Sequence, residues 1–297
     1  MTDREVLADR FEENRGHLRA VAYRMLGSLS EADDAVQEAW LKLSRTDADE
    51  VRNLPAWLTT VVGRVCLDML RSRASRREEP MDAYFVPDPV VSPLDRIDPD
   101  QEVLLADSVG LALLVVLETL EPAERLAFVL HDMFAVPFDD IATVVGRSSA
   151  ATRRLASRAR RRVRGAAPAP DPDLGRQRRV VEAFLAASRG GDFEALVPVL
   201  DPDIVLRADS GTLVGGAAAS KVVRGAAAVA QQALLFRQFS FSSELVLVNG
   251  TVGLVTAPDG RPMSVMGFTV KAEKIVALHI LADPDRLARL GLTKIQD

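Results

Sequence analysis

Apolar positions along the chain change their period, and the changes divide it into three stretches. In the first, Phe11, Leu18, Val21, Ala22, Met25 and Leu26 recur at helical spacing until Gly27 breaks the pattern, as a glycine just past a helix does. Ser30, with Asp33 three residues on, reads as an N-cap. The helix it opens turns Ala32, Val36, Ala39, Trp40 and Leu43 inward and leaves Asp33, Asp34, Gln37 and Glu38 on its other side. Pro55 suits the first turn of a third helix carrying Trp57, Leu58, Val61, Val62, Val65, Leu67 and Leu70, whose far end turns basic at Arg71, Arg73, Arg76 and Arg77.

Residues 78–100 hold Pro80, Pro87, Pro89, Pro93 and Pro99, a density that excludes helix and predicts an extended linker. Beyond it Asp107–Leu120 is nearly all apolar and predicts a buried helix, and Pro122 starts another with Leu126, Val129, Leu130 and Met133 inward. A short helix, Asp139–Val145, stops at Gly146, and Ser148 caps a longer one running to about Val163. A second proline-rich linker covers 166–173. In the third stretch, Glu182–Arg189, Phe193–Leu200 and Ala226–Phe236 read as helices. Ile204–Arg207, Glu244–Val248, Val252–Thr256, Ser264–Val270 and Ile275–Leu281 read as strands, parted by turns such as Asn249-Gly250 and Asp259-Gly260. The sum is a multidomain chain: two all-α domains, 1–77 and 101–165, then an α+β domain, 174–297, with helices packed on a curved antiparallel sheet.

Composition narrows the classes. A chain of 297 residues can bury two or three cores, and no apolar run approaches the roughly 20 residues that span a bilayer. The first residues carry no hydrophobic leader. A single cysteine, Cys66, cannot form an internal disulfide, which fits a reducing cytoplasm. Three scattered histidines and one cysteine offer no zinc spacing, and neither a metal nor a cofactor is expected. A net charge of -5 argues against indiscriminate coating of nucleic acid but leaves room for local basic surfaces.

One such surface is evident. A short helix, a glycine-containing turn and a longer helix, with Pro122–Met133 in front, form a helix-turn-helix pattern. Ala151, Leu155, Ala159 and Val163 can face the core of the last helix. Around them stand Arg147, Arg153, Arg154, Arg158, Arg160, Arg161, Arg162 and Arg164, with no acidic residue between Asp140 and Arg164. A merely solvated helix usually mixes signs for i,i+4 pairing. Arginine's planar fork suits phosphate and the guanine edge, so the pattern points to DNA. Ser149, Ala150, Thr152 and Arg153, near the helix start, are expected to face bases, and Arg154, Arg158 and Arg161 to hold mostly phosphates.

With these parts in place the chain resembles an extracytoplasmic-function (ECF) RNA polymerase sigma factor of the sigma-70 family, in the SigJ-like group with a fused C-terminal SnoaL-like domain. Ala32-Asp-Asp-Ala-Val-Gln-Glu-Ala-Trp40 is similar to the family segment that docks on the β′ clamp of core RNA polymerase, which implies a polymerase role for Asp33, Asp34, Gln37, Glu38 and Trp40. Pro55 through Arg77 is similar to the segment that melts and reads the −10 element, implying DNA contacts at Asn53, Trp57, Thr60, Arg64 and Arg71. Ala123–Leu130 and Phe138 through Arg160 are similar to the segment that reads the −35 element beside the β flap. The resemblance implies an alternative sigma factor, whose partners are core RNA polymerase and promoter DNA.

For the third stretch the resemblance implies an NTF2-type α+β cone that regulates the sigma core in cis. A family Asn-Pro-Asp-Lys-Leu motif stands here as Asp283-Pro284-Asp285-Arg286-Leu287, and a glycine-rich loop is loosely echoed from Asp209 through Gly215 and Gly216 to Lys221. The family's linker motif is reduced to Phe85-Val-Pro-Asp-Pro89. A small-molecule or protein effector of this domain is open. As an acid/base pair, Asp209 and His279 are candidates to line a pocket, although His279 shares a strand face with Ile275, Ala277 and Leu281 as a core histidine would. Two other readings stay open on the residues alone: a one-component DNA-binding regulator with a ligand-sensing cone, and a SnoaL-type enzyme tethered to DNA.

Overall fold

The computed structural model describes residues 3–46, 53–76, 85–94, 110–166, 168–211 and 220–292. The chain divides into two compact units. The first comprises Met1–Pro80, Pro99–Asp107 and Val116–Ala166, and the second Met81–Asp98, Ser108–Val115 and Ala167–Asp297.

The first unit opens with three helices, α1 (Asp3–Leu26), α2 (Leu29–Leu43) and α3 (Leu54–Arg76). Gly27 ends α1 in the left-handed region, as its position after the apolar repeat predicts. The N-cap of α2 is Ser28 rather than Ser30: its hydroxyl accepts the Glu31 N–H at 3.5 Å. The two helices are parted by only two residues, so Ser30 already lies in the first turn. Ala32, Ala35, Val36, Ala39 and Leu43 are buried, while Trp40 is half-buried against the Phe11 ring, centroids 5.1 Å apart. Cys66 is buried in α3, and burial pushes its thiol well above the ordinary value.

The second half of this unit carries α4 (Leu111–Glu118, within which the division falls), α5 (Pro122–Phe128), α6 (Phe138–Val145) and α7 (Ser149–Ala166). The helix expected from Pro122 to Met133 changes character at Val129, where Val129–Met133 widens into a π turn. The two all-α stretches share one core. A Cβ on Gly63 of α3 would lie 3.0 Å from Leu130 and 3.2 Å from Leu126, so this glycine sets how closely α3 approaches α5. Arg125 of α5 is buried. Its guanidinium meets the Glu118 carboxylate at 2.6 and 3.1 Å and donates to the Met25 carbonyl at 2.9 Å, tying α4 and α5 to the end of α1.

The second unit holds a seven-stranded sheet: β1 (Val91–Pro93), β2 (Leu200–Asp209), β3 (Lys221–Arg224), β4 (Ser243–Val248), β5 (Thr251–Thr256), β6 (Ser264–Lys271) and β7 (Lys274–Leu281), in the order β1-β4-β5-β6-β7-β2-β3. Every pairing is antiparallel except β2 with β7, which is parallel and corrects the all-antiparallel expectation. Asn249 and Gly250, both at positive φ, turn the β4–β5 hairpin as their dipeptide predicts. Helices α8 (Leu174–Gly190), α9 (Phe193–Val199) and α10 (Ala226–Leu235) pack on the sheet through Val181, Phe184, Leu196 and Val229. A final helix, α11, covers Pro284–Arg289. α8 starts eight residues before Glu182, because Asp173 caps it through the Arg176 N–H.

The expected linker 78–100 is not a free spacer over its described residues. Val86, Val90 and Val91 are buried, and Val91–Pro93 pairs with Val246–Val248 as the edge strand β1. Proline is compatible with an edge position, where no ladder N–H is required of it. Among the described residues no helix is long and apolar enough to cross a membrane, and no cluster of His, Cys, Asp and Glu can hold a metal ion.

The Arg125 contact makes a clear prediction. Arg125→Ala leaves the Glu118 carboxylate buried without its cation, and urea unfolding should show a loss of about 3–5 kcal/mol. The double replacement Arg125→Met/Glu118→Leu should recover most of it, since an apolar pair of similar volume needs no compensation.

Candidate nucleic-acid interface

Gly146 ends α6 with φ 71°, and the Ser148 hydroxyl accepts the Ala151 N–H at 3.2 Å to start α7. This is the turn of the helix-turn-helix. The face of α7 turned to the core consists of Thr152, Leu155, Ala156 and Ala159, rotated from the expected Ala151, Leu155, Ala159 and Val163. Thr152 is 0% exposed and its hydroxyl donates to the Ser148 carbonyl at 3.1 Å, which removes it from the base-facing set. Ala150, Arg153 and Arg154 are exposed at the start of the helix, and Ser149 is half-buried with its hydroxyl enclosed. The Arg153 guanidinium lies over the Phe138 ring, 5.6 Å from its centroid.

The arginines of α7 divide into two groups. Arg158 and Arg162 both bind the Glu124 carboxylate, at 2.6 and 3.1 Å, and Arg160 binds Asp132 at 2.5 Å. Glu124 is itself buried. These three fasten α7 to α5 and the π turn. Arg147, Arg153, Arg154, Arg161 and Arg164 are exposed, and none forms an ion pair with another described residue. A cationic surface facing solvent is thus concentrated on five residues. Sequence counting missed the pairing because the acids come from a different helix.

On α3, Asn53 caps the helix by accepting the Ala56 N–H at 3.2 Å. Trp57, Thr60, Arg64 and Arg71 then fall within about 60° of one another around the axis. Trp57 and Thr60 are half-buried, with the Thr60 hydroxyl donating to the Trp57 carbonyl, and Arg64 and Arg71 are exposed. Arg71 stands 3.8 Å from Asp68, and Arg73 pairs with Glu31 of α2. The Arg76 side chain and Arg77 lie outside the described residues. On α2, Asp33, Asp34, Gln37 and Glu38 are all exposed. Arg19 of α1 takes the Asp33 carboxylate at 2.6 Å, and Lys42 stands 3.8 Å from Glu38.

In the second unit the expected regulatory residues converge on one guanidinium. Asp283 caps α11 by accepting the Arg286 N–H at 3.0 Å, with Pro284 in the first turn. Arg286 then binds Asp209 of β2 at 2.8 Å and Asp88 at 2.6 Å, and donates to the Val86 carbonyl at 2.5 Å. It also lies over the Phe85 ring, 5.0 Å from the centroid. Asp209 in turn accepts the Val86 N–H at 3.1 Å. Residues 85–88 are therefore clamped onto the domain by both their charge and their backbone. Leu287 is buried and Asp285 is exposed. Lys221 sits apart, at the start of β3, over the Phe236 ring. Gly215 and Gly216 lie outside the described residues.

Asp209 and His279 do not line the cavity of this domain. The cavity is walled by Leu206, Ala208, Leu278 and Ile280, the alternate residues of the same strands, so both polar residues face the other side of the sheet. His279 is buried, and desolvation together with the Arg207 charge pushes its imidazole down to about 3.

A helical unit built on an arginine-faced helix-turn-helix, with a second helix presenting tryptophan and arginine, is that of a DNA-binding transcription protein. Sigma-70 region 2 matches residues 10–76, and Sigma-70, region 4 matches residues 110–163. The chain is 43% identical to the ECF RNA polymerase sigma factor SigJ of Mycobacterium tuberculosis, over 93% of this chain and 91% of that one. It is 35% identical to the probable ECF RNA polymerase sigma factor SigI of the same species, over 97% of each. The crystal structure of M. tuberculosis SigJ superposes with a TM-score of 0.76 at 37% identity, covering 95% of this chain and 98% of that one. The chain belongs to the ECF RNA polymerase sigma factors. It is an alternative sigma factor, and the C-terminal α+β domain is part of the architecture that matches SigJ.

The buried His279 gives the second unit an acid sensitivity. Its folded value is depressed below the ordinary 6.5, so as pH falls through about 6.5 the unfolded chain takes up a proton that the folded one refuses until about 3. Stability from this group is complete above 6.5 and is lost on acidification, by about 2 kcal/mol between pH 7 and pH 5. Urea titrations at the two pH values should show this component in the wild type and not in His279→Gln.

Proposed function

We propose that the two arginine-bearing helices of the first unit read the promoter and that the Arg286 clamp lets the C-terminal domain govern them in cis. Arg153, with Ser149 and Ala150, faces bases of the −35 element, and Arg154 and Arg161 hold phosphates. Arg158 serves mainly to orient α7, because Glu124 already occupies it. Asn53, Trp57, Thr60, Arg64 and Arg71 form the −10 surface: the half-buried indole offers a stacking platform for an unpaired base and the two arginines flank it for phosphate. The exposed face of Asp33, Asp34, Gln37 and Glu38, with Trp40 packed behind it, is the docking surface for the β′ clamp of core RNA polymerase, and the helix-turn-helix meets the β flap. Such a protein acts in the cytoplasm, where the polymerase is.

The observation that carries the regulatory half is that one side chain, Arg286, holds Asp88, the Val86 carbonyl and Asp209 together. The segment it fixes lies between the two promoter-reading parts of the sequence. An interaction that gains or loses this clamp changes the freedom of that segment. The C-terminal domain acts here as a regulator rather than a catalyst, a reading supported by Asp209 and His279 facing away from the cavity.

Run-off transcription with core polymerase on a genomic promoter library tests the whole. Full-length protein should give promoter-specific transcripts, and Arg153→Ala should weaken output from −35-dependent promoters by about tenfold. Glu38→Ala should weaken core binding about fivefold. Arg286→Ala should move output in the same direction as truncation after Leu281. An unchanged output from Arg286→Ala would overturn control through the clamp.

A further inference from the structure

The second unit holds a partly open cavity of about 590 Å³ between the sheet, α8, α10 and α11. Its walls are largely apolar, with Phe184, Leu206, Leu254, Met266, Leu278 and Leu287 among them. That volume falls in the range of sites that take small molecules.

Two polar groups point to the chemistry of the occupant. Ser264, at the start of β6, is 4% exposed, and its hydroxyl oxygen is fully enclosed with no hydrogen-bond partner among the described residues. The Gln232 side-chain amide nitrogen, on α10, is enclosed and unpartnered in the same way. Both residues line the cavity. The two donors reach the cavity space on a side-chain rotation, and an acceptor oxygen placed there would recover the order of 1–3 kcal/mol that a buried donor without an acceptor costs. Lys221 also lines it, with desolvation lowering its ammonium value.

We infer that this cavity is a binding site for a small, largely aliphatic molecule bearing a hydrogen-bond-accepting oxygen, a ketone carbonyl or a carboxylate, received by Gln232 and Ser264. The apolar body lies against Leu254, Met266 and Leu287. A carboxylate would also gain from Lys221, whereas a ketone would not. Pro284 and Leu287, both in the cavity wall, stand on α11 beside Arg286. An occupant therefore packs on the helix that carries the clamp, and its effect on transcription rests on the regulatory reading above, whereas binding does not.

Isothermal titration of the full-length protein with octanoic acid and with octan-2-one tests the site. Saturable one-to-one binding is expected for at least one of them, and Gln232→Leu and Ser264→Ala should each weaken it about tenfold. Tighter binding of the acid assigns a carboxylate ligand, and equal or tighter binding of the ketone assigns a neutral carbonyl. Leu254→Trp on β5 and Ala233→Phe on α10 fill the cavity from the sheet wall and the helix wall, and each, once shown by circular dichroism to be folded, should abolish binding. Absence of saturable binding by either probe, or binding that survives in a folded filling variant, overturns the site. Run-off transcription at saturating probe is read separately: unchanged output with binding intact overturns the link to the clamp and leaves the site standing.

Discussion

A guanidinium taken out of water has to be met by acceptors, and much of this protein is arranged around that demand. Arg125 is buried where the end of α1, the end of α4 and the start of α5 come together, and a carboxylate and a main-chain carbonyl meet its two terminal nitrogens. Removing either partner would leave charge or dipole uncompensated in a low-dielectric interior. The second unit repeats the device with Arg286, which is met by two carboxylates and a carbonyl drawn from two separate parts of the sequence, residues 86–88 and Asp209. In each case one side chain enforces an arrangement that apolar packing alone would leave less sharply defined.

Arginine does a third job on α7, where the distinction between structural and functional copies is a matter of partners. Glu124 is buried and takes two guanidiniums, so it anchors the helix while presenting little negative charge to solvent. The exposed remainder stands without internal anions among the described residues, available for the phosphate backbone. On the proposed reading, affinity for DNA rests on fewer cations than the sequence displays. This suits a subunit whose specificity is expressed together with a polymerase that supplies contacts of its own, and it accords with an overall negative charge.

Much of this was legible in the sequence, and the misses have physical reasons. Period located the helices, because a buried stripe at 3.6-residue spacing leaves few alternatives, and the acidic face of α2 emerged where expected, whereas the caps Ser28 and Asp173 were not read. The core-facing side of α7 was read correctly at Leu155 and Ala159, but Thr152 and Ala156 take the places expected of Ala151 and Val163, since small residues give little contrast between neighbouring stripes. Alternation along β7 placed His279 on one face with Ile275, Ala277 and Leu281, yet it carries no information on which face meets the cavity, and β2 runs on past the expected Arg207 to include Asp209. The parallel β2–β7 pairing joins strands some seventy residues apart, which no local signal reports. Prolines correctly excluded helix from residues 85–94, but an edge strand tolerates them too, and its partner β4 lies about 150 residues downstream.

That edge strand has a bearing on solubility. β1 covers the outer side of β4, whose Val246, Leu247 and Val248 are buried beneath it. Should the segment peel away, a row of main-chain donors and acceptors backed by apolar side chains would be bared at the sheet margin, a template on which another chain can add a strand. Any state of the protein with that segment detached thus carries a colloidal liability. A clamp that fastens residues 85–88 thus guards against strand-to-strand polymerisation, and loosening it at high concentration would expose the protein to aggregation.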